Sequence, residues 1–139
     1  MKNITKRKIV TFVFGTRPEA IKMAPVIKKF QEDKFFFTRV ILTGQHKEIV
    51  NDVMKLFGIS EDLNLNLMIE GQSLNYVTCK VLSGLKKEFS DFYPSLVLVQ
   101  GDTTSALSAA LAAFYEKIPI GHIEAGLRTN DLNNPFPEE

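Results

Sequence analysis

The chain has 139 residues, enough for one domain that buries about two-thirds of its unfolded surface without a disulfide or metal staple. Its 17 basic and 16 acidic residues leave a net charge of +1. No broad field therefore favours nucleic acid or an anionic membrane, and any anion site must be local. The single cysteine, Cys79, excludes an internal disulfide and fits a reducing compartment, and no cysteine–histidine spacing suits zinc.

A basic leader runs to Lys8, and the apolar stretch after it, Ile9 to Phe14, is too short for a signal peptide or a spanning helix. A cytoplasmic protein with a short frayed leader is expected. Lys8 to Phe14 is β-branched and aromatic and predicts a buried strand closed by Gly15. A helix follows from Pro18 to about Glu32. Glu19 sits in its first turn, where an acid suits the dipole, and Pro25 either kinks it or divides it in two. Phe36 to Thr43 predicts a second strand closed by Gly44. His46 to Phe57 predicts a helix capped by Gly58. Leu63, Leu65 and Leu67 alternate as a brief extended segment. Leu74 to Phe89 is helical, with Cys79 expected as a buried bystander. Leu96 to Val99 reads as a strand buried on both faces, Thr103 to Tyr115 as an alanine-rich helix, and Ile118 to Ile123 as a last strand. The chain stops in a polar loop at Pro137-Glu138-Glu139, so it is expected to be a piece of a longer protein.

Strands alternating with helices predict an α/β, doubly wound parallel sheet covered on both faces. Ligands of such sheets sit at the carboxyl ends of the strands, where three loops carry unusual residues. The first, Gly15-Thr-Arg-Pro-Glu19, puts glycine, the hydroxyl of Thr16 and the guanidinium of Arg17 at a helix N-terminus, with Lys22 a turn on. That combination favours phosphate. It is neither a Walker loop nor a dinucleotide fingerprint, and a solvated Arg17 after a tight turn is the plain alternative. The second, Gln100-Gly-Asp-Thr-Thr104, carries Asp102, which reads equally as the N-cap of the next helix. The third runs from His122 through Glu124 and Arg128 to Glu138, and Glu124 is expected to be partly buried. Several carboxylates in one cleft can divide the work of donating and accepting a proton. His46 reads as a helix start and His122 as a core residue.

These stretches resemble a known family. Phe14-Gly-Thr-Arg-Pro-Glu-Ala-Ile-Lys-Met-Ala-Pro25, Gln45-His46, Val97-Leu-Val-Gln-Gly-Asp-Thr-Thr104, Ala112-Ala-Phe-Tyr115, Ile118-Pro-Ile-Gly-His-Ile-Glu-Ala-Gly-Leu-Arg-Thr129 and Pro135-Phe-Pro-Glu-Glu139 are similar to the non-hydrolysing UDP-N-acetylglucosamine 2-epimerases, in order and over nearly the whole chain. The resemblance implies the Rossmann-like N-terminal half of a GT-B-like two-domain enzyme. A second, UDP-holding domain would lie outside this chain, and the full-length protein would be a homodimer. It implies interconversion of UDP-N-acetylglucosamine and UDP-N-acetylmannosamine by loss and re-addition of UDP, with no metal or redox cofactor. It assigns acid/base work to Asp102, Glu124 and Glu138, and substrate contacts to Gly15, Thr16, Arg17, Lys22, Gln45, His46 and Arg128. The Thr-Arg-Pro-Glu-Ala-Ile-Lys stretch differs from the Thr-Arg-Ala-Asp/Glu-Tyr of hydrolysing relatives. Gln100 stands where histidine is common, Phe136 where tryptophan or tyrosine is usual, and Glu48 where some allosterically regulated members have glutamine. A sugar-nucleotide-binding or interaction fragment without catalysis, and half of a GT-B glycosyltransferase, are the competing expectations.

Overall fold

The computed structural model describes residues 7–44 and 47–135. Gln45, His46, Phe136 and Glu138 lie outside the described residues, as does the side chain of Glu48. The elements are β1 (Lys8–Phe14), α1 (Arg17–Glu32), β2 (Phe36–Leu42), α2 (Lys47–Phe57), β3 (Leu63–Asn64), α3 (Leu74–Asp91), β4 (Leu96–Gln100), α4 (Thr104–Tyr115) and β5 (Ile120–Ile123). The five strands form one sheet in the order β3-β2-β1-β4-β5, and every pairing is parallel.

Side chains alternate across this sheet with the period of two that a strand imposes. Val10, Phe12 and Phe14 of β1, Val40 and Leu42 of β2 and Leu98 of β4 pack with Ala20, Met23, Ala24 and Ile27 of α1 and with Val50, Val53 and Met54 of α2. Val13, Ile41, Val97 and Val99 point the other way, onto Val77, Val81, Leu85 and Phe89 of α3 and Ala106, Ala109, Ala112 and Ala113 of α4. The chain is therefore a doubly wound, Rossmann-like α/β domain, as the alternation of elements predicts. Each large side chain fully withdrawn from water contributes about 1.5–3 kcal/mol, and β1 buries Val10, Phe12, Val13 and Phe14 on its two faces.

Several local features follow from backbone chemistry. α1 is one continuous helix, and Pro25 lies on its exposed face one turn after exposed Ile21, where water can satisfy the carbonyl that proline leaves without a donor. α2 ends as expected at Gly58, which adopts φ 61° while Ile59 N–H donates to the Met54 carbonyl at 2.9 Å. The last strand begins at Ile120, two residues later than the sequence suggests. Lys117 adopts φ 58°, and the Lys117 and Ile118 amides donate to Phe114 and Ala113, which closes α4 in a Schellman turn with Ile118 buried. The leucine alternation pairs as strand only at Leu63 and Asn64, although Leu65 and Leu67 still donate to β2 and its following residue. Cys79 is exposed rather than buried. Among the described residues, no helix is long and apolar enough to cross a membrane.

One buried ion pair ties β2 to α3. Arg39 Nε donates to Glu88 Oε1 at 2.6 Å, with both residues under 10% exposed, and its guanidinium stacks 3.7 Å from the Phe92 ring centroid. Asp62 Oδ1 approaches the same guanidinium only to 4.0 Å, so removing Glu88 leaves Arg39 poorly paired in the interior. Glu88→Ala is therefore expected to cost about 3–5 kcal/mol in equilibrium urea unfolding, while the double replacement Arg39→Met/Glu88→Leu costs clearly less.

Candidate active site

The sheet order places β1 beside β4, whose following helices leave on opposite faces, and the crevice of such a fold opens between those two strand ends. The β1–α1 loop is pressed into the sheet. A Cβ on Gly15 would sit 1.9 Å from Thr43 Oγ1 and 3.3 Å from Ser105 Oγ, so the absence of a side chain is a steric requirement there. Those two hydroxyls are buried and 3.1 Å apart. The next residue, Thr16, caps α1, and Arg17 opens the helix, exposed and with no partner among the described residues.

Glu19, read from the sequence only as a first-turn acid, is 2% exposed and does more. Its Oε2 accepts from the Gly15 amide at 2.8 Å and the Thr16 amide at 2.7 Å, while Oε1 accepts from the Thr103 hydroxyl of the β4–α4 loop. One buried carboxylate thus joins the first loop to the second. The signal was present in the sequence, because Thr16-x-x-Glu19 is the spacing of a capping box.

The second loop turns at Gly101, with φ 70°, and presents Asp102. Asp102 is not the N-cap of α4. Thr103 takes that role, its Oγ1 accepting from the Ala106 amide at 3.1 Å. Asp102 is exposed, without a partner among the described residues, and stands immediately before the threonine that Glu19 holds.

The third loop is tied to α1 and to the second loop. Glu124 Oε2 accepts from Lys22 Nζ of α1 and from Gln100 Nε2 at the end of β4. The Glu124 side chain is 40% exposed, so the acid is partly covered, and two donors hold it. Its backbone sits at φ 56°, in the left-handed region. An ion pair this exposed contributes only about 0–1 kcal/mol. Its consequence is positional, since it holds the carboxylate of the β5 end over β4 and α1. Gln100, 3% exposed, is a site residue that sequence reading treated only as a family variation. His122 is not a core residue; it is exposed, and its Nε2 lies 2.6 Å from the Gly101 carbonyl. Arg128 is exposed and donates from Nη1 to the Leu127 carbonyl.

The structure therefore gathers two hydrogen-bonded sets at the carboxyl edge, Gly15, Thr16 and Thr103 around Glu19 and Lys22 and Gln100 around Glu124, with Arg17 and Asp102 on the loops that Glu19 joins. No three histidine, cysteine, aspartate or glutamate side chains among the described residues gather closely enough to hold a metal ion. A shallow depression of about 610 Å³, lined by Lys29, Phe30, Glu32, Asp33, Lys34 and Phe36, lies at the opposite, amino end of the strands.

A five-stranded parallel sheet with this polar edge defines a Rossmann-like α/β domain of the GT-B-like architecture of its epimerase neighbours. The sequence pattern of the family described as UDP-N-acetylglucosamine 2-epimerase matches residues 28–139, and the chain belongs to that family. It is 54% identical over 132 residues to UDP-N-acetylglucosamine 2-epimerase of Escherichia coli K12, which covers 95% of this chain and 35% of that protein. Its fold matches the crystal structure of the Neisseria meningitidis UDP-GlcNAc 2-epimerase bound to UDP-GlcNAc with a TM-score of 0.89 and 53% identity, over 94% of this chain and 35% of that one. The Methanocaldococcus jannaschii enzyme, in complex with UDP-GlcNAc and UDP, matches with a TM-score of 0.85 at 33% identity, over 94% and 36%. The chain thus spans about a third of the length of these relatives.

The close approach at Gly15 yields a stability test. Gly15→Ala is expected to cost about 1–3 kcal/mol in urea unfolding, as overpacking does, and Gly15→Ala/Thr43→Ala is expected to recover part of that loss.

Proposed function

We propose that this chain supplies the acid/base half of a non-hydrolysing UDP-N-acetylglucosamine 2-epimerase that interconverts UDP-N-acetylglucosamine and UDP-N-acetylmannosamine. The observation that carries the reading is the joining of Glu124 to Lys22 and Gln100, beside the loop that presents Asp102. Inversion at C2 needs proton-transfer groups on both faces of the sugar and a hold on departing UDP. A base takes the C2 proton as the C1–oxygen bond to UDP breaks, which leaves 2-acetamidoglucal and UDP. A proton then returns to the opposite face of C2 as the UDP oxygen adds back to C1.

Asp102, Glu124 and Glu138 are the proton carriers in this reading, because a positioned carboxylate can serve as donor or acceptor. Arg17 at the start of α1 receives the diphosphate, where a planar cation and the positive end of a helix favour anionic oxygens. Lys22 neutralises and aims Glu124. Gly15 and Thr16 shape the diphosphate side, and Gln45, His46 and Arg128 contact the substrate. The rest of the relatives' length corresponds to a second, UDP-holding domain that closes the crevice, and the complete protein acts as a homodimer. A doubly charged sugar nucleotide does not cross a bilayer unaided, which fits a cytoplasmic enzyme.

The test is to incubate the full-length protein carrying this chain with UDP-N-acetylglucosamine in heavy water. UDP-N-acetylmannosamine with deuterium at C2 is expected, and Asp102→Asn or Glu124→Gln should lower turnover by about 10²–10⁴-fold with the fold retained. Transfer of the sugar to an acceptor without deuterium at C2 would overturn the reading in favour of a glycosyltransferase.

A further inference from the structure

Glu19 is 2% exposed, carries no assigned role in the reaction, and has donors on both of its oxygens. Capping α1 needs only the amides that Oε2 accepts. The bond from Thr103 to Oε1 adds nothing to that cap, and it spans 84 positions of the chain to reach the start of the helix on the opposite face of the sheet. Thr103 is itself fully engaged, donating to Glu19 while accepting from Ala106. The two loops joined this way are the ones that present Arg17 and Asp102.

We propose that Glu19 is a positioning residue that locks the Arg17 loop and the Asp102 loop into a single rigid unit, so that the diphosphate-side cation and a proton-transfer carboxylate keep a constant separation through the reaction. This deepens the epimerase reading and rests on it. Epimerisation by elimination needs both groups at once, because UDP must be held while the proton at C2 is handled. If the two loops moved independently, substrate could still bind through one of them, but the elimination geometry would be met less often. Loss of the link should therefore lower turnover more than it weakens substrate binding.

The experiment uses the full-length protein with Thr103→Val, which removes the link, Thr103→Ser, which retains the hydroxyl, and Glu19→Gln, which retains the shape without the charge. Two readouts are taken at a temperature where all variants are folded. In amide hydrogen exchange, Thr103→Val should speed exchange at Gly15 and Thr16 by about tenfold, although neither belongs to the substituted loop or to α4, whose cap the same change removes. In steady-state kinetics, Thr103→Val and Glu19→Gln should lower kcat by about tenfold or more with KM within about threefold, and Thr103→Ser should stay close to the unsubstituted protein. Unchanged exchange at Gly15 and Thr16 in Thr103→Val overturns the link, whatever the activity. Changed exchange with unchanged kcat overturns its part in the reaction. An unsubstituted protein that does not epimerise defeats the epimerase reading, and with it the catalytic part of this proposal, while the exchange experiment still decides whether the loops are locked.

Discussion

The Glu19 carboxylate sits where the topology of the domain changes direction. β1 sends its helix to one face and β4 sends its helix to the other, so the starts of α1 and α4 diverge from neighbouring strands. A switch of this kind leaves a gap lined by free amide groups, which is why such folds bind ligands there. Here the floor of the gap is braced: Gly15 leaves no room beside Thr43 and Ser105, and Glu19 ties the lip on one side to Thr103 on the other. The hydrophobic layers build the sheet, but the shape of its polar edge depends on this single buried acid.

The second carboxylate node, at Glu124, works in the opposite regime. Glu19 is withdrawn from water and satisfied by neutral donors, whereas Glu124 is 40% exposed and meets a lysine. Burial makes the first bond set rigid, because breaking it would leave polar groups unsatisfied. Exposure makes the second exchangeable, since water can replace either partner at little cost. In the proposed reaction, a fixed brace beside a more exchangeable carboxylate would let one part of a substrate be held still while protons move at another.

Much of this architecture was readable in the amino acids. The β-branched run of β1 and the proline and acid that open α1 mark their elements without tertiary knowledge, and the three candidate loops follow from strand ends. Cys79 was misjudged although the information was present. Val77 and Val81 mark the inward face of α3, and a residue two positions from each points away from it. The start of β5 was misplaced because Ile118 is apolar for a different reason, closing the turn after α4 rather than pairing in the sheet. The links of Glu19 to Thr103, Glu124 to Lys22 and Gln100, and Arg39 to Glu88 were out of reach in kind. Each joins residues whose proximity exists only once strand order and register are settled, and no local pattern encodes that.

The backbone at Glu124 bears on how this position changes over evolutionary time. A glutamate at φ 56° occupies a conformation that glycine and asparagine adopt far more comfortably, at a cost of about 1–3 kcal/mol. Packing offers no compensation at an exposed strand end. Selection for the carboxylate alone would keep such a residue in place, and a lineage released from that selection would drift toward glycine or asparagine, gaining stability as it did so. On the proton-carrier role proposed for Glu124, the identity of the residue at this one bend would separate descendants still under that constraint from those that have kept only the scaffold.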